Sequence, residues 1–405
     1  MSRGAIDCFE AGVTDAASYH SDRSRPAYAR FWNAGHESPA TMNVEVAASE
    51  PRAVPRIEYV RLLPEALAAP LPPDVLAAMA FGRGEPHSPE PHPRLPGPPR
   101  RPADPRLIRV GLEPLGPADV VELWRAAGTV RTGSVGPVRF AADEEHLAGQ
   151  LELDEREYGG LAAAAQWAYA RILRFQASSP FPHLLRMWNY FDSINDGEGD
   201  AQRYKQFCIG RAQAFGAAAG RPLQRPAGLA GERAIASPNR FPAATAIGRR
   251  DGSPVLQMYW LAARVPGTAL ENPRQMSAYR YPREYGPASP SFSRAMLVPG
   301  GLLLVSGTAS IVGHASRHRG SLRDQLDETL ANLATVLERA AAIEPALPPE
   351  LSPRTRLKIY LRDGAAAKLA AAHLAQCLPP GAQCLMLEAD ICRDELLVEV
   401  DCIHA

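Results

Sequence analysis

The chain has 405 residues, enough for two or three domains around a large core. Lys plus Arg and Asp plus Glu both total 44, so no global field points to nucleic acid or to an anionic membrane surface. The longest strongly apolar patch, Leu302 to Val305, is far too short to span a bilayer, and the six cysteines are scattered with no C-x-x-C pair, which argues against zinc and against a disulfide framework.

The N-terminus carries Asp7 and Glu10 without an apolar run behind them, unlike a secretory signal, so a reduced cytoplasmic protein is the default expectation. Residues 1–55 lack periodicity and are rich in Ala, Ser, Arg and Pro, as in a disordered or loosely ordered extension. Ile57 to Leu63 reads as a strand and Pro73 to Met79 as a short helix. Gly84 to Pro105 contains nine prolines. Its two histidines, in HSPEPHP, sit on an extended segment with no scaffold for a metal, so a linker is the reading.

From Arg106 the pattern becomes regular. A strand is expected at Leu107 to Leu112, a helix at Ala118 to Ala127, and strands near Val138 to Ala141 and His146 to Leu153. Leu161 to Phe175 is an amphipathic helix, with Leu161, Ala165, Trp167, Ala168, Ile172 and Leu173 on or near one stripe. HLLRMWNYF reads as a buried strand. DSINDGEGD fails the calcium-loop spacing because Ile194 stands where a ligand should be; it reads as a polar loop. The helix after it starts near Ala201 and holds Arg203, Tyr204, Phe207 and Arg211. Thr245 to Gly248 and Val255 to Ala263, flanking RRDGS, read as a hairpin.

PRQMSAYRYPREYGPASPSFSRAM then packs Tyr279, Tyr281 and Tyr285 with Arg274, Arg280, Arg283 and Arg294 among four prolines. Proline stiffens the backbone while Arg and Tyr supply rigid donors suited to a carboxylate; an exposed irregular loop is the alternative. A strand (Gly301 to Gly307), a helix (Ser321 to Ile343), a strand (Thr355 to Leu361) and a helix (Ala365 to Cys377) follow. The end, GAQCLMLEADICRDELLVEVDCIHA, reads as two strands joined by a tight turn at Cys392-Arg393-Asp394-Glu395. In the second strand Leu396, Val398, Val400 and Cys402 share one face, and Leu397, Glu399, Asp401 and Ile403 the other. A carboxylate at Glu399 is expensive to desolvate unless it is paired, protonated or solvated in a cleft; a solvated edge strand is the plain alternative.

The C-terminal elements resemble the YjgF/RidA superfamily in the Ser306-Gly307 strand end, Gln325 and Asn332 on the helix, and the E-V-x-x-I-x-A terminal strand. Imine deaminases of that superfamily carry an arginine at a place filled here by Gln383, which implies that their carboxylate clamp is missing. A longer resemblance, over roughly residues 107 to 405, is to the chorismatase family. It rests on SSPFPHLLRMWNYFDSIN, GDAQRYKQFCIGRAQAF, FPAATAIG, SAYRYPREYGPASPSFSRA, SGTASIVGHAS and the C-x-D-E-x-x-V-E spacing. Ala288 departs from it, standing where a basic residue is expected.

Chorismatases remove pyruvate from chorismate, and the resemblance implies Glu399 as the catalytic acid. One branch adds water and releases a dihydroxycyclohexadiene carboxylate. The other displaces the C3 ether with the ring C4 hydroxyl and gives 3-hydroxybenzoate through an arene oxide. That branch carries Gly in S-G-T-A-S and Cys seven residues before the Glu, positions held here by Gly307 and Cys392. A buried structural cysteine is the other reading of Cys392. Two separated cations are needed for the two substrate carboxylates. Arg211 and Arg294 are the candidates, with Tyr204, Tyr279 and Tyr285 as substrate-binding neutral groups; structural salt bridges are the alternative for the arginines. No cofactor or metal is implied.

The expectation is therefore an α+β fold. Residues 1–105 form an extension and Pro-rich linker, 106–265 a diverged N-terminal α+β module and 266–405 a YjgF-like catalytic module, packed as a monomer with pseudo-oligomeric internal contacts and a pocket between modules. Chorismate is the expected partner, with no nucleic acid and no membrane. The rival functions are a hydrolytic chorismatase, a RidA-like imine deaminase and a non-catalytic metabolite sensor.

Overall fold

The computed structural model describes residues 54–62, 69–82, 104–117, 119–219 and 241–405. The expected extension before residue 54 and the HSPEPHP linker lie outside them. The first elements are β1 (Arg56–Arg61), β2 (Val75–Phe81), β3 (Leu107–Val110), β4 (Glu113–Pro114) and β5 (Val120–Arg125). Four of these make a sheet in the order β1-β5-β2-β3. Two expected helices are thus corrected to strands, at 73–79 and 118–127. VLAAMAF has good helix formers, but all seven residues are buried between two neighbouring strands. Such continuous burial overrides local propensity.

Next come β6 (Arg131–Val135), β7 (Val138–Ala142), β8 (His146–Asp154), α1 (Leu161–Ala177), β9 (His183–Asp192), α2 (Arg203–Ala218), β10 (Ala243–Arg249) and β11 (Val255–Ala263). The last part contains β12 (Thr268–Leu270), β13 (Ala295–Val298), β14 (Leu302–Ala309), the short pair β15 (Ile311–Val312) and β16 (Ala315–Ser316), α3 (Leu322–Ala341), β17 (Arg356–Leu361), α4 (Ala367–Cys377), β18 (Gln383–Glu388) and β19 (Val398–His404). The succession β7-β8-α1-β9-α2-β10-β11 recurs as β13-β14-α3-β17-α4-β18-β19. The spatial orders match too, β10-β9-β11-β8-β7 against β18-β17-β19-β14-β13. The chain thus carries two α+β modules of one topology.

That topology corrects both expected hairpins. β9 lies between β10 and β11, and β17 lies between β18 and β19. In each module a strand-helix-strand unit pairs two strands in parallel, and the final strand crosses over to pair antiparallel with the first of them. β11 and β19 become central strands, buried at every residue. VLQMYWLAA, apolar almost throughout, suits a strand covered on both faces rather than a hairpin arm with one wet face.

Each helix pair covers one face of its sheet. Ala164, Ala168, Ile172, Phe207 and Phe215 pack there in the first module, and Leu326, Leu333, Leu337 and Leu374 in the second. The opposite faces of all three sheets meet in a shared core that includes Met79, Trp124, Trp188, Tyr259, Leu304, Tyr360 and Ile403. On β19, Val398, Val400 and Cys402 face the helices, as the two-residue period requires. Glu399 and Asp401 therefore point to the inner side. No helix among the described residues is long and apolar enough to cross a membrane.

Candidate active site

A cavity of about 220 Å³ opens where α2, the Arg/Tyr/Pro loop, β10, β14 and the crossover before β19 converge. Both modules contribute to its wall. Among the expected site residues, Glu399, Gly307, Cys392, Arg211, Arg294, Tyr204 and Tyr285 line it. Tyr279 does not; its ring packs on Phe241 with centroids 5.7 Å apart, and Tyr281 takes the inward place.

Glu399 is placed by a bulge. The β14–β19 ladder slips between Val305 and Thr308, so Ser306 and Gly307 leave the regular register. Ser306 is locked there, donating to the Ser293 carbonyl at 2.6 Å and accepting from the Ala244 N–H at 2.8 Å. The Gly307 N–H donates to the Thr245 hydroxyl at 2.9 Å. A Cβ on Gly307 would stand 1.9 Å from Glu399 Oε1, so glycine alone leaves room for the carboxyl where it lies. Burial, with the neighbouring Asp401 charge, pushes Glu399 up to about 8 against the smaller opposing pull of Arg186 and Arg294. At neutral pH it holds its proton. This is a carboxylic acid beside a cavity, able to donate.

The crossover wrongly expected to be a tight turn shapes one wall. Arg362 donates to the carbonyls of Ile391, Arg393 and Leu396 and to Asp390 Oδ1, pinning the segment down. Gln325 of α3 accepts from the Leu397 N–H and donates to the Glu395 carbonyl. Asn332 donates to the carbonyls of Ala309 and Ile311. The two amides that carried the YjgF resemblance thus hold the entry of β19 and the end of β14. Cys392 faces the cavity with its thiol pushed up to about 12, chiefly by burial, so it stays neutral and is a space-filling group rather than a nucleophile.

Arg211 is 3% exposed, lies over the Tyr169 ring at 5.0 Å, and has no partner for Nε or Nη2 among the described residues. Arg294 donates through Nη2 to the Met276 carbonyl and the Tyr281 hydroxyl, at 2.8 and 2.9 Å, while Nε is unpaired. Among the described residues neither side chain forms a salt bridge with a carboxylate, although Arg294 pulls on the largely buried Glu271 carboxyl. Buried guanidinium donors left open beside a cavity suit an anionic ligand. Tyr204 is kept neutral because burial raises its hydroxyl well above the ordinary range.

Four contributors were not named as site residues from the sequence. Thr245 and Tyr281 are described above, and Arg393 stacks on Tyr285 at 4.1 Å while donating to the His314 carbonyl and the Ser316 hydroxyl. Arg186, fully buried, donates to the Thr245 hydroxyl. The one charged residue in the mostly apolar LLRMWNYF strand was the signal for it. Gln383, in contrast, accepts from the Tyr59 N–H and is not among the lining residues, so its identity says nothing about a carboxylate clamp in this cavity.

A family model described as "Chorismatase FkbO/Hyg5-like, N-terminal" matches residues 122–262. A protein named chorismatase from Streptomyces rapamycinicus is 34% identical over 293 residues, 70% of this chain and 82% of the relative. One named 3-hydroxybenzoate synthase from Streptomyces hygroscopicus is 31% identical over 293 residues, 69% of this chain and 80% of the relative. A chorismatase crystal structure superposes with a TM-score of 0.70 and 27% identity, covering 87% of this chain and 98% of that one.

Proposed function

The chain belongs to the chorismatase family, and from that premise we propose that it converts chorismate to 3-hydroxybenzoate and pyruvate. The observation that carries this reading is a protonated Glu399 in one cavity with two buried arginines that each keep an unpaired donor, Nε and Nη2 of Arg211 and Nε of Arg294, among the described residues. Arg211 and Arg294 bind the two substrate carboxylates, with Tyr204, Tyr281 and Tyr285 as neutral neighbours. Glu399 delivers its proton to the enolpyruvyl methylene. The enol carbon becomes oxocarbenium-like, and the C3–O bond breaks with its electron pair forming the pyruvate carbonyl. The C4 hydroxyl oxygen bonds to C3 and gives up its proton, which the Glu399 carboxylate can recover. Opening of the arene oxide with loss of a ring proton and reprotonation on oxygen yields 3-hydroxybenzoate. Chorismate equals the two products in composition, so no water is consumed.

The test is incubation with chorismate in oxygen-18 water and chromatographic identification of the products. Equal amounts of pyruvate and 3-hydroxybenzoate are expected, with no label in the ring hydroxyl and none in pyruvate beyond its own exchange. Release of the dihydroxy acid, or label in excess of exchange, would replace the internal route by hydrolysis.

The choice between routes turns on space beside the acid. Gly307→Ala drives a methyl into the Glu399 carboxyl, which must swing aside. Cys392→Ala removes the sulfur that fills the opposite wall. The double variant is expected to divert flux to the dihydroxy acid. A tenfold change in product ratio requires only about 1.4 kcal/mol between competing barriers. An unchanged ratio in the folded double variant would refute this steric account.

A further inference from the structure

Glu399 and Asp401 lie two residues apart on one face of β19, in different surroundings. Asp401 is 1% exposed, and its Oδ2 accepts from the Trp188 Nε1–H and the Tyr360 hydroxyl, each at 2.9 Å. The Arg186 guanidinium stands 3.5 Å from the same oxygen. Among the described residues no such set of donors meets the Glu399 carboxyl, which faces the cavity. Donors stabilise an ionised carboxylate, and their absence in a buried place favours the neutral acid.

The charges around Asp401 are largely balanced among themselves. From the elements packed against it, Asp401 meets Arg186 and Tyr190 of β9, Tyr259 of β11, Lys358 and Tyr360 of β17, and Tyr59 of β1. Lys358 pairs in turn with Glu122 of β5 at 2.9 Å, both fully buried. The two cations, Arg186 and Lys358, are therefore balanced by Asp401 and Glu122. Glu399 is itself faced by Arg186 of β9 and by Arg294, which draw it towards ionisation against burial and Asp401, and by Tyr204 of α2 and Cys392.

We propose that Asp401 is a positioning residue for the proton: it gathers the donors of the inner side and so leaves the proton on Glu399 in the pH range where the enzyme works. This rests on the reading of Glu399 as the proton donor. Arg186 links the two, since it neutralises Asp401 and also donates to the Thr245 hydroxyl, which holds the Gly307 N–H beside Glu399. The division of labour follows from the donors: three groups gather at Asp401, and Glu399 is left to the substrate.

The test is the pH profile of kcat/KM for pyruvate release from chorismate. The wild type is expected to lose activity above a limb near pH 8, where Glu399 ionises. Asp401→Asn removes the anion and leaves Arg186 uncompensated, so the limb should move down by about one unit or more. For a one-unit move the ratio of activity at pH 8 to that at pH 5.5 falls about fivefold. Asp401→Glu, which keeps the charge, should restore the limb even if the rate is lower. An unmoved limb in folded Asp401→Asn, a uniform drop at every pH, or the same shift in Asp401→Glu overturns the proposal.

Should Asp401→Asn not fold, infrared spectroscopy of the wild type and Glu399→Gln decides. At pH 6.5 the wild type should show a protonated-carboxyl band that disappears in Glu399→Gln. Persistence of that band would place the proton elsewhere and overturn the proposal. Retention of near-full turnover by Glu399→Gln would instead defeat the assignment of the acid itself, a distinct outcome.

Discussion

Glu399→Gln should lower turnover of chorismate by about 10²–10⁴-fold, the usual worth of a positioned general acid, with little change in substrate affinity. Glutamine keeps the shape of the side chain, so Gly307 and the bulge need not move. What disappears is the transferable proton. The variant also carries a signature in stability. Glu399 ordinarily titrates near 4.5 and is raised to about 8 in the folded protein. Between these values the native state binds more protons than the unfolded chain, so stability falls as pH rises through that window. At pH 7 this costs on the order of 3 kcal/mol. Glutamine removes the ionisation, so the variant should melt higher than the wild type at neutral pH, with the difference fading towards pH 4.5. Unchanged turnover would remove Glu399 from the mechanism; unchanged melting would show that it is not held neutral.

Arg211→Ala should weaken the apparent affinity for chorismate by roughly 10–100-fold, since a charge-assisted contact contributes about 1.5–3 kcal/mol. Arg211 is the sharper of the two anchors to test. Arg294 already donates to the Met276 carbonyl and the Tyr281 hydroxyl, so its replacement also disturbs the loop. Arg211 is buried with Nε and Nη2 unpaired. An uncompensated buried cation burdens the free protein, and removing it should raise the melting temperature while impairing binding. A residue serving only the fold would show the reverse, lower melting and unchanged KM. That combination would move the carboxylate site elsewhere.

Residues inside one local segment were readable wherever periodicity was strong. The face assignment on β19 followed from the two-residue alternation of Val398, Glu399, Val400 and Asp401, which holds whether the strand is central or at an edge. Helices α1 to α4 were legible for a similar reason, because a helix satisfies its own backbone and shows its buried stripe within the segment. The reading of VLAAMAF as a helix failed because its burial between two strands is supplied by β3 and β5, whose paired residues lie 29 to 50 positions away, outside any local window.

What the sequence by itself determined is the α+β class, the face that Glu399 shares with Asp401 and the Arg/Tyr/Pro loop as a source of donors. The long shared phrases also carried the family resemblance. Only the tertiary structure decided strand order, because β9 and β17 insert between neighbours in sequence, and polar connectors such as RRDGS serve a crossover as well as a hairpin. It alone brought Arg211 of the first module to Arg294 and Glu399 of the second, and it turned Tyr281 inward in place of Tyr279. It also separated two carboxylates that look equivalent in VEVDC. Ionisation depends on donors arriving from other strands: Trp188, Arg186 and Tyr360 reach Asp401, while Glu399 is left facing the cavity.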